Sequence, residues 1–130
     1  MLESQLEIAL DQLGPLEARI MRLVWEGRVA EPFVVRSVQR LLPELAYTTV
    51  MTTLNRLAEK GILRVKPVAG NRPHEYRAIM DPAAFLLWAS RRDADRMVAR
   101  YGDLALATFA DRLDQLSPSQ RERLQKLIES

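Results

Sequence analysis

Six polar side chains along one stretch of the sequence could do recognition chemistry. Thr48, Thr49, Thr52, Asn55, Arg56 and Glu59 lie around one side of a helix over residues 46–60, and Val50, Leu54 and Leu57 take the other side. A threonine hydroxyl donates and accepts hydrogen bonds while its methyl group suits the thymine methyl, and a helix N-terminus offers backbone N–H groups to phosphate. Such a helix could enter a DNA major groove. A solvated helix whose threonines bond carbonyls one turn back is the plain alternative. Covalent and metal chemistry have little to work with. The chain has no cysteine and one histidine, so disulfides and thiolates are excluded and His74 has no second imidazole with which to share a metal. No Ser, Asp or Glu stands in a recognisable catalytic motif, and the expectation is a non-enzymatic protein without cofactor or metal.

Charge supports the same stretch. The net charge is only +2, too small to argue for nucleic acid by itself, so its location decides. Arg36, Arg40, Arg56, Lys60, Arg64, Lys66, Arg72 and Arg77 face only Glu44, Glu59 and Glu75 across residues 36–77. Arg72, beside Gly70 and Asn71, could reach phosphate or an adjacent minor groove, with Arg64, Lys66 and Arg77 reinforcing the field. Tyr47 could bond a phosphate or pack its ring on the core. Arg36 and Arg40 could flank the backbone or form an ordinary wet face.

Positioning these residues takes a small helical fold. Apolar spacing predicts a leading helix ending at Gly14-Pro15, then a helix with Leu16, Ile20, Leu23 and Val24 inward, Glu17, Arg19 and Arg22 toward water, and a stop at Gly27. A short helix over 34–42, with Val35, Val38, Leu41 and Leu42 inward, ends at Pro43, and the helix over 46–60 ends at Gly61. Two helices joined so tightly suggest a helix-turn-helix. Residues 62–79 switch to an extended pattern around the Pro67 to Pro73 tip, a β-hairpin with a basic end. Asp81-Pro82 opens a helix to about Arg100, Gly102-Asp103 begins another, and Ser117-Pro118-Ser119-Gln120 has the form of a capping box that starts a third. The fold class expected is mainly α: a winged helix-turn-helix with a two-stranded wing and a three-helix tail. Residues 1–12 would be an extension, 13–80 the winged domain and 81–130 a dimerisation domain.

The tail needs a partner, because about fifty residues bury too little surface to stand alone. The run Ala83 to Ala89 is too broadly apolar for a helix with one buried face. Phe85, Trp88, Leu104, Phe109, Leu113, Leu124, Leu127 and Ile128 are the expected dimer contacts, in a two-fold arrangement that presents two recognition helices. With 48% apolar residues, no run of about 20 apolar residues and no secretion signal, a cytoplasmic protein without membrane contact is expected.

The segments LGPLEARIMRLVWE (13–26), LAYTTVMTTLNRLAEKGIL (45–63) and EYRAI (75–79) resemble the penicillinase-repressor family, the BlaI and MecI group to which the CopY copper regulators are related. The resemblance implies a homodimer on a palindromic double-stranded DNA operator, repressing a resistance or stress-response gene. It places Thr48, Thr49, Thr52 and Arg56 near bases and phosphates and Arg72 on the wing. Members governed by a membrane sensor protease are cut at an Asn-Phe pair; the nearest counterpart here is Thr108-Phe109, so the inducer stays open. The terminal cysteine cluster of the copper branch is missing, which argues against thiolate copper sensing. Two other classes stay open: a winged protein-interaction module, and a regulator opened by a small ligand among Trp88, Tyr101 and Phe109.

Overall fold

Proline and glycine set the element boundaries. The computed structural model describes residues 2–129. In order, these residues form α1 (Leu2–Asp11), α2 (Pro15–Trp25), α3 (Val35–Leu41), α4 (Tyr47–Glu59), β1 (Leu63–Lys66), β2 (Glu75–Ala78), α5 (Pro82–Tyr101), α6 (Asp103–Asp114) and α7 (Pro118–Glu129). This is the expected mainly α architecture: a helix-turn-helix, a two-stranded antiparallel wing and a helical tail. The chain divides between Trp88 and Ala89, within α5, into two compact units.

Two helices of the first unit end in the same way. Gly27 and Gly61 sit at φ 73° and 81°, a hand that side chains with a Cβ resist. Beyond α4, Gly61 N–H donates to Ala58 O and Ile62 N–H to Leu57 O, each at 3.0 Å. This pair of bonds satisfies carbonyls that a helix end otherwise leaves open, and it turns the chain straight into β1. Gly27 and Arg28 repeat the pattern on Val24 and Leu23.

The core of this unit gathers Ile20 and Met21 from α2, Val38 from α3, Val50, Leu54 and Leu57 from α4, and Ile62 and Leu63 at the wing. Withdrawing each large side chain from water contributes about 1.5–3 kcal/mol before entropy is charged. α4 packs on α2, α3 and β1, so its apolar side is covered throughout.

Two expectations fail. Glu17 does not face water: it is buried, with its carboxylate accepting from Gly14 N–H at 3.1 Å and from Lys60 Nζ at 2.8 Å. A glutamate three residues past the helix start can reach back to the first open N–H, and that reach carries it inward. Leu41 is exposed rather than inward. α3 spans only seven residues, and its C-cap Leu42 leaves helical geometry at φ −129°, ψ 63° and takes the buried place.

The caps foreseen for the later helices are present. Asp81 Oδ1 accepts from Ala84 N–H at 2.8 Å, and Ser117 and Gln120 exchange side-chain and backbone bonds at 2.9 and 3.2 Å. In the second unit Ala105 is buried. Gly102, at φ 62°, separates α5 from α6.

Candidate nucleic-acid interface

The exposed side of α4 is set by what its other side does. Val50, Leu54 and Leu57 are 0% exposed, which forces Thr48, Thr52 and Arg56 outward, and all three are exposed. Thr49 is half-buried, and its carbonyl accepts from the buried Thr53 hydroxyl at 2.8 Å. Ala46 at the N-cap has no side-chain oxygen to offer the first turn, and no side chain caps it among the described residues.

Neighbouring elements pin this helix. The Arg36 guanidinium lies 5.5 Å from the centre of the Tyr47 ring, a cation–π contact that joins α3 to the first residue of α4. Tyr47 is half-buried there. At the other end, the Tyr76 hydroxyl donates to Asn55 Oδ1 at 2.8 Å, so Asn55 ties the wing to α4. Tyr76 is buried, and Phe33 stacks beside it at 6.0 Å and 22°. Loss of water around the Tyr76 phenol, and secondarily its electrostatic interaction with the Tyr47 phenol, push its pKa above the usual tyrosine value, which keeps the donating hydroxyl protonated. Phe33 and Tyr76 also exchange backbone bonds at 2.9 and 2.8 Å, giving the hairpin an extra bridge. Sequence reasoning missed these ties, since each joins residues far apart in the chain.

The wing itself has two unlike faces. Leu63, Val65, Tyr76 and Ala78 alternate with Arg64, Lys66, Glu75 and Arg77, and the paired register sets Arg64 opposite Arg77 and Lys66 opposite Glu75. Two arginines directly across a strand pair repel each other, so the outer face of the wing carries a local surplus of positive charge. Arg72 lies in the exposed tip beyond Gly70, which has φ 78°. Arg40 is exposed on α3.

The expected dimer residues fall into different settings. Phe85 is 2% exposed and its ring packs 5.6 Å from Trp25 and 5.9 Å from Trp88, in the core of the first unit. Trp88 belongs to that unit as well, whereas Tyr101 and Phe109 lie in the second. On α6, Phe109 and Leu113 share a stripe with Leu106, and Leu104, nine residues before Leu113, lies on the opposite face. Leu104 is 73% exposed, Leu113 48% and Ile128 69%. Phe109 and Leu127 are also exposed, and Leu124 is half-buried.

Among the described residues no group of His, Cys, Asp and Glu could hold a metal ion, and no helix is long and apolar enough to cross a membrane. A short helix, a tight turn, a second helix with a polar outer face and a charged hairpin locked against it define a winged helix-turn-helix protein. A model of the penicillinase repressor family matches residues 13–130, and the chain belongs to that family. It is 41% identical over 73 residues to the transcriptional regulator BlaI of Mycobacterium tuberculosis, in two strains, a match that covers 54% of this chain and 50% of that protein. The chain thus spans about half the length of the curated relatives it matches. Among solved structures it is similar to a MarR/EmrR family transcriptional regulator from Acinetobacter sp. ADP1, with TM-score 0.44 and 19% identity over 90% of this chain and 72% of that one. It is also similar to the transcriptional regulator SlyA, with TM-score 0.39 and 17% identity over 96% and 89% of the two chains.

Proposed function

We propose that this chain is a transcriptional repressor that occupies a palindromic operator as a cytoplasmic homodimer and so controls a resistance or stress-response gene. α4 would enter the major groove with Thr48, Thr49 and Thr52 toward bases, while Tyr47, Arg56 and Arg72 hold the sugar-phosphate backbone. One observation carries the reading: burial of Val50, Leu54 and Leu57 turns a short-chained polar row outward, beside a wing whose outer face and tip are cationic.

Dimerisation would use the tail. Leu104, Phe109, Leu113, Leu127 and Ile128 leave more apolar side chain in water than a small helical unit ordinarily does, and Phe85, Trp88 and Leu124 complete the set of residues proposed for pairing. The working division is residues 13–80 for DNA, 81–130 for pairing and 1–12 as an extension.

Selection of bound fragments from a random duplex pool tests binding, palindromy and half-site spacing together. The expected product is a symmetric motif with half-sites about one helical turn apart. Affinity should fall steeply with salt, and Arg56→Ala should weaken it about ten-fold and lower the salt slope by about one. A protein that ignores every duplex at low ionic strength would be a protein-interaction module instead.

A further inference from the structure

Helix α1 precedes the segment that matches the family, and it encloses space that the matched segment alone would leave open. It lies against α2, with Glu7 accepting from both ends of the Arg22 guanidinium at 2.7 and 3.0 Å and Ala9 and Leu10 buried. A cleft of about 370 Å³ remains between α1, the end of α2 and the first turn of α5, a size that suits a small organic molecule.

One wall of the cleft is an aromatic ring held in place. Trp25 Nε1–H donates to Met80 O at 2.9 Å, and the Phe85 ring packs against the indole at 5.6 Å and 46°. Its plane is therefore set before any ligand arrives. Leu6, Pro82 and Ala83 add apolar surface. Glu26 and Asp81 also line the cleft, and among the described residues none that lines it is cationic. A neighbouring cation, Arg22, lies 3.7 Å from Glu26 and is held by Glu7 at 2.7 Å, so its guanidinium is already flanked by two carboxylates. One oxygen of Asp81 caps Ala84 N–H, and its side chain is exposed.

We propose that this cleft binds a compact organic cation: a protonated or quaternary amine on an aromatic or branched apolar body. Tryptophan is the side chain that attracts such a cation best, and Glu26 and Asp81 supply the opposite charge while repelling anions. The apolar body takes the surface of Leu6, Pro82 and Ala83. The site does not depend on the DNA-binding reading.

Benzyltrimethylammonium is a suitable probe, titrated in a Trp88→Phe background so that Trp25 alone fluoresces. The expected result is a saturable change in Trp25 emission, weakened about ten-fold in the Glu26→Gln/Asp81→Asn double variant. Asparagine keeps the helix cap, and circular dichroism checks that each variant is folded. Ala83→Phe, at an exposed helical position, should fill the cleft and abolish the response. Phenylacetate, an anion of similar body, and benzyl alcohol, its neutral counterpart, should leave Trp25 unchanged. The proposal is overturned if Trp25 shows no saturable change at millimolar probe, if phenylacetate or benzyl alcohol binds as well, or if both variants bind like the parent. No DNA is present in the assay, so such a failure leaves the operator reading standing.

Discussion

Replacing Lys60 with methionine would leave a charge stranded in the core. The Glu17 side chain is 9% exposed and the Lys60 side chain 48%. Glu17 Oε1 accepts from Lys60 and from Gly14 N–H, while Oε2 is buried without a partner among the described residues. Lys60→Met keeps the aliphatic stem but removes the ammonium. A charge-assisted bond contributes about 1.5–3 kcal/mol, and breaking a fully buried ion pair from one side costs about 3–5 kcal/mol. Because the ammonium is half in water, which can partly replace it, the expected loss is about 1–2 kcal/mol. Glu17→Gln keeps an acceptor for Gly14 N–H and lets Lys60 return to solvent, so it should cost less, under about 1 kcal/mol. The double variant should then resemble Glu17→Gln alone. Urea unfolding followed by tryptophan emission is the assay, since Trp25 and Trp88 both lie in the first unit. If Lys60→Met unfolds within about 0.5 kcal/mol of the parent, or if Glu17→Gln is the costlier change, the buried carboxylate is not held by its ammonium.

Three further outcomes follow from the geometry. Gly61→Ala should lower stability by about 1–2 kcal/mol in the same assay, because an added Cβ meets nothing within 4 Å and the cost is purely the left-handed backbone at φ 81°. Tyr76→Phe should cost about 1 kcal/mol through the lost Asn55 bond. It should also flatten the alkaline limb of the stability profile. The raised Tyr76 pKa makes its contribution complete below the ordinary value of 10.0 and lost as pH rises through the higher folded value. Glu7 runs the other way: its hydrogen bond to Arg22 lowers its pKa from 4.5. That contribution is present above the ordinary value and disappears as acid titrates through the lowered one. A Glu7→Gln variant whose acid limb matches the parent's would refute it.

Local signals in the sequence found most of the elements. Gly27 and Gly61 stop helices and Gly102 opens one as expected, Pro15 and Pro82 begin them, and Asp81 and Ser117 cap them, because each acts within four residues of its own position. The row Val50, Leu54, Leu57 was legible for a similar reason, since a helical period fixes which side is apolar. What escaped were bonds that close over long stretches of chain. Glu17 reads as a surface acid until Lys60, 43 residues later, arrives beside it. Asn55 reads as a polar group on the outer side until Tyr76 takes its oxygen, and Arg36 as a cation flanking the backbone or part of a wet face until Tyr47 comes under it. Phe85 reads as part of a broad apolar run, and its place is decided by Trp25, which periodicity within α5 does not reveal.

Ties to the rest of the fold fall on the base and the paired strands of the hairpin rather than on its tip: Ile79 N–H on Ile62 O, Ala78 N–H on Glu31 Oε2, the exchange between Phe33 and Tyr76, and the Tyr76 to Asn55 bond. Mechanically it is a cantilever, clamped at one end, with Arg72 carried toward the other. Lengthening or shortening the eight-residue span from Pro67 to His74 between the strands would alter how far that arginine extends without disturbing the clamp. Reach is thus an adjustable dimension of this fold, separable from the orientation of the helix beside it.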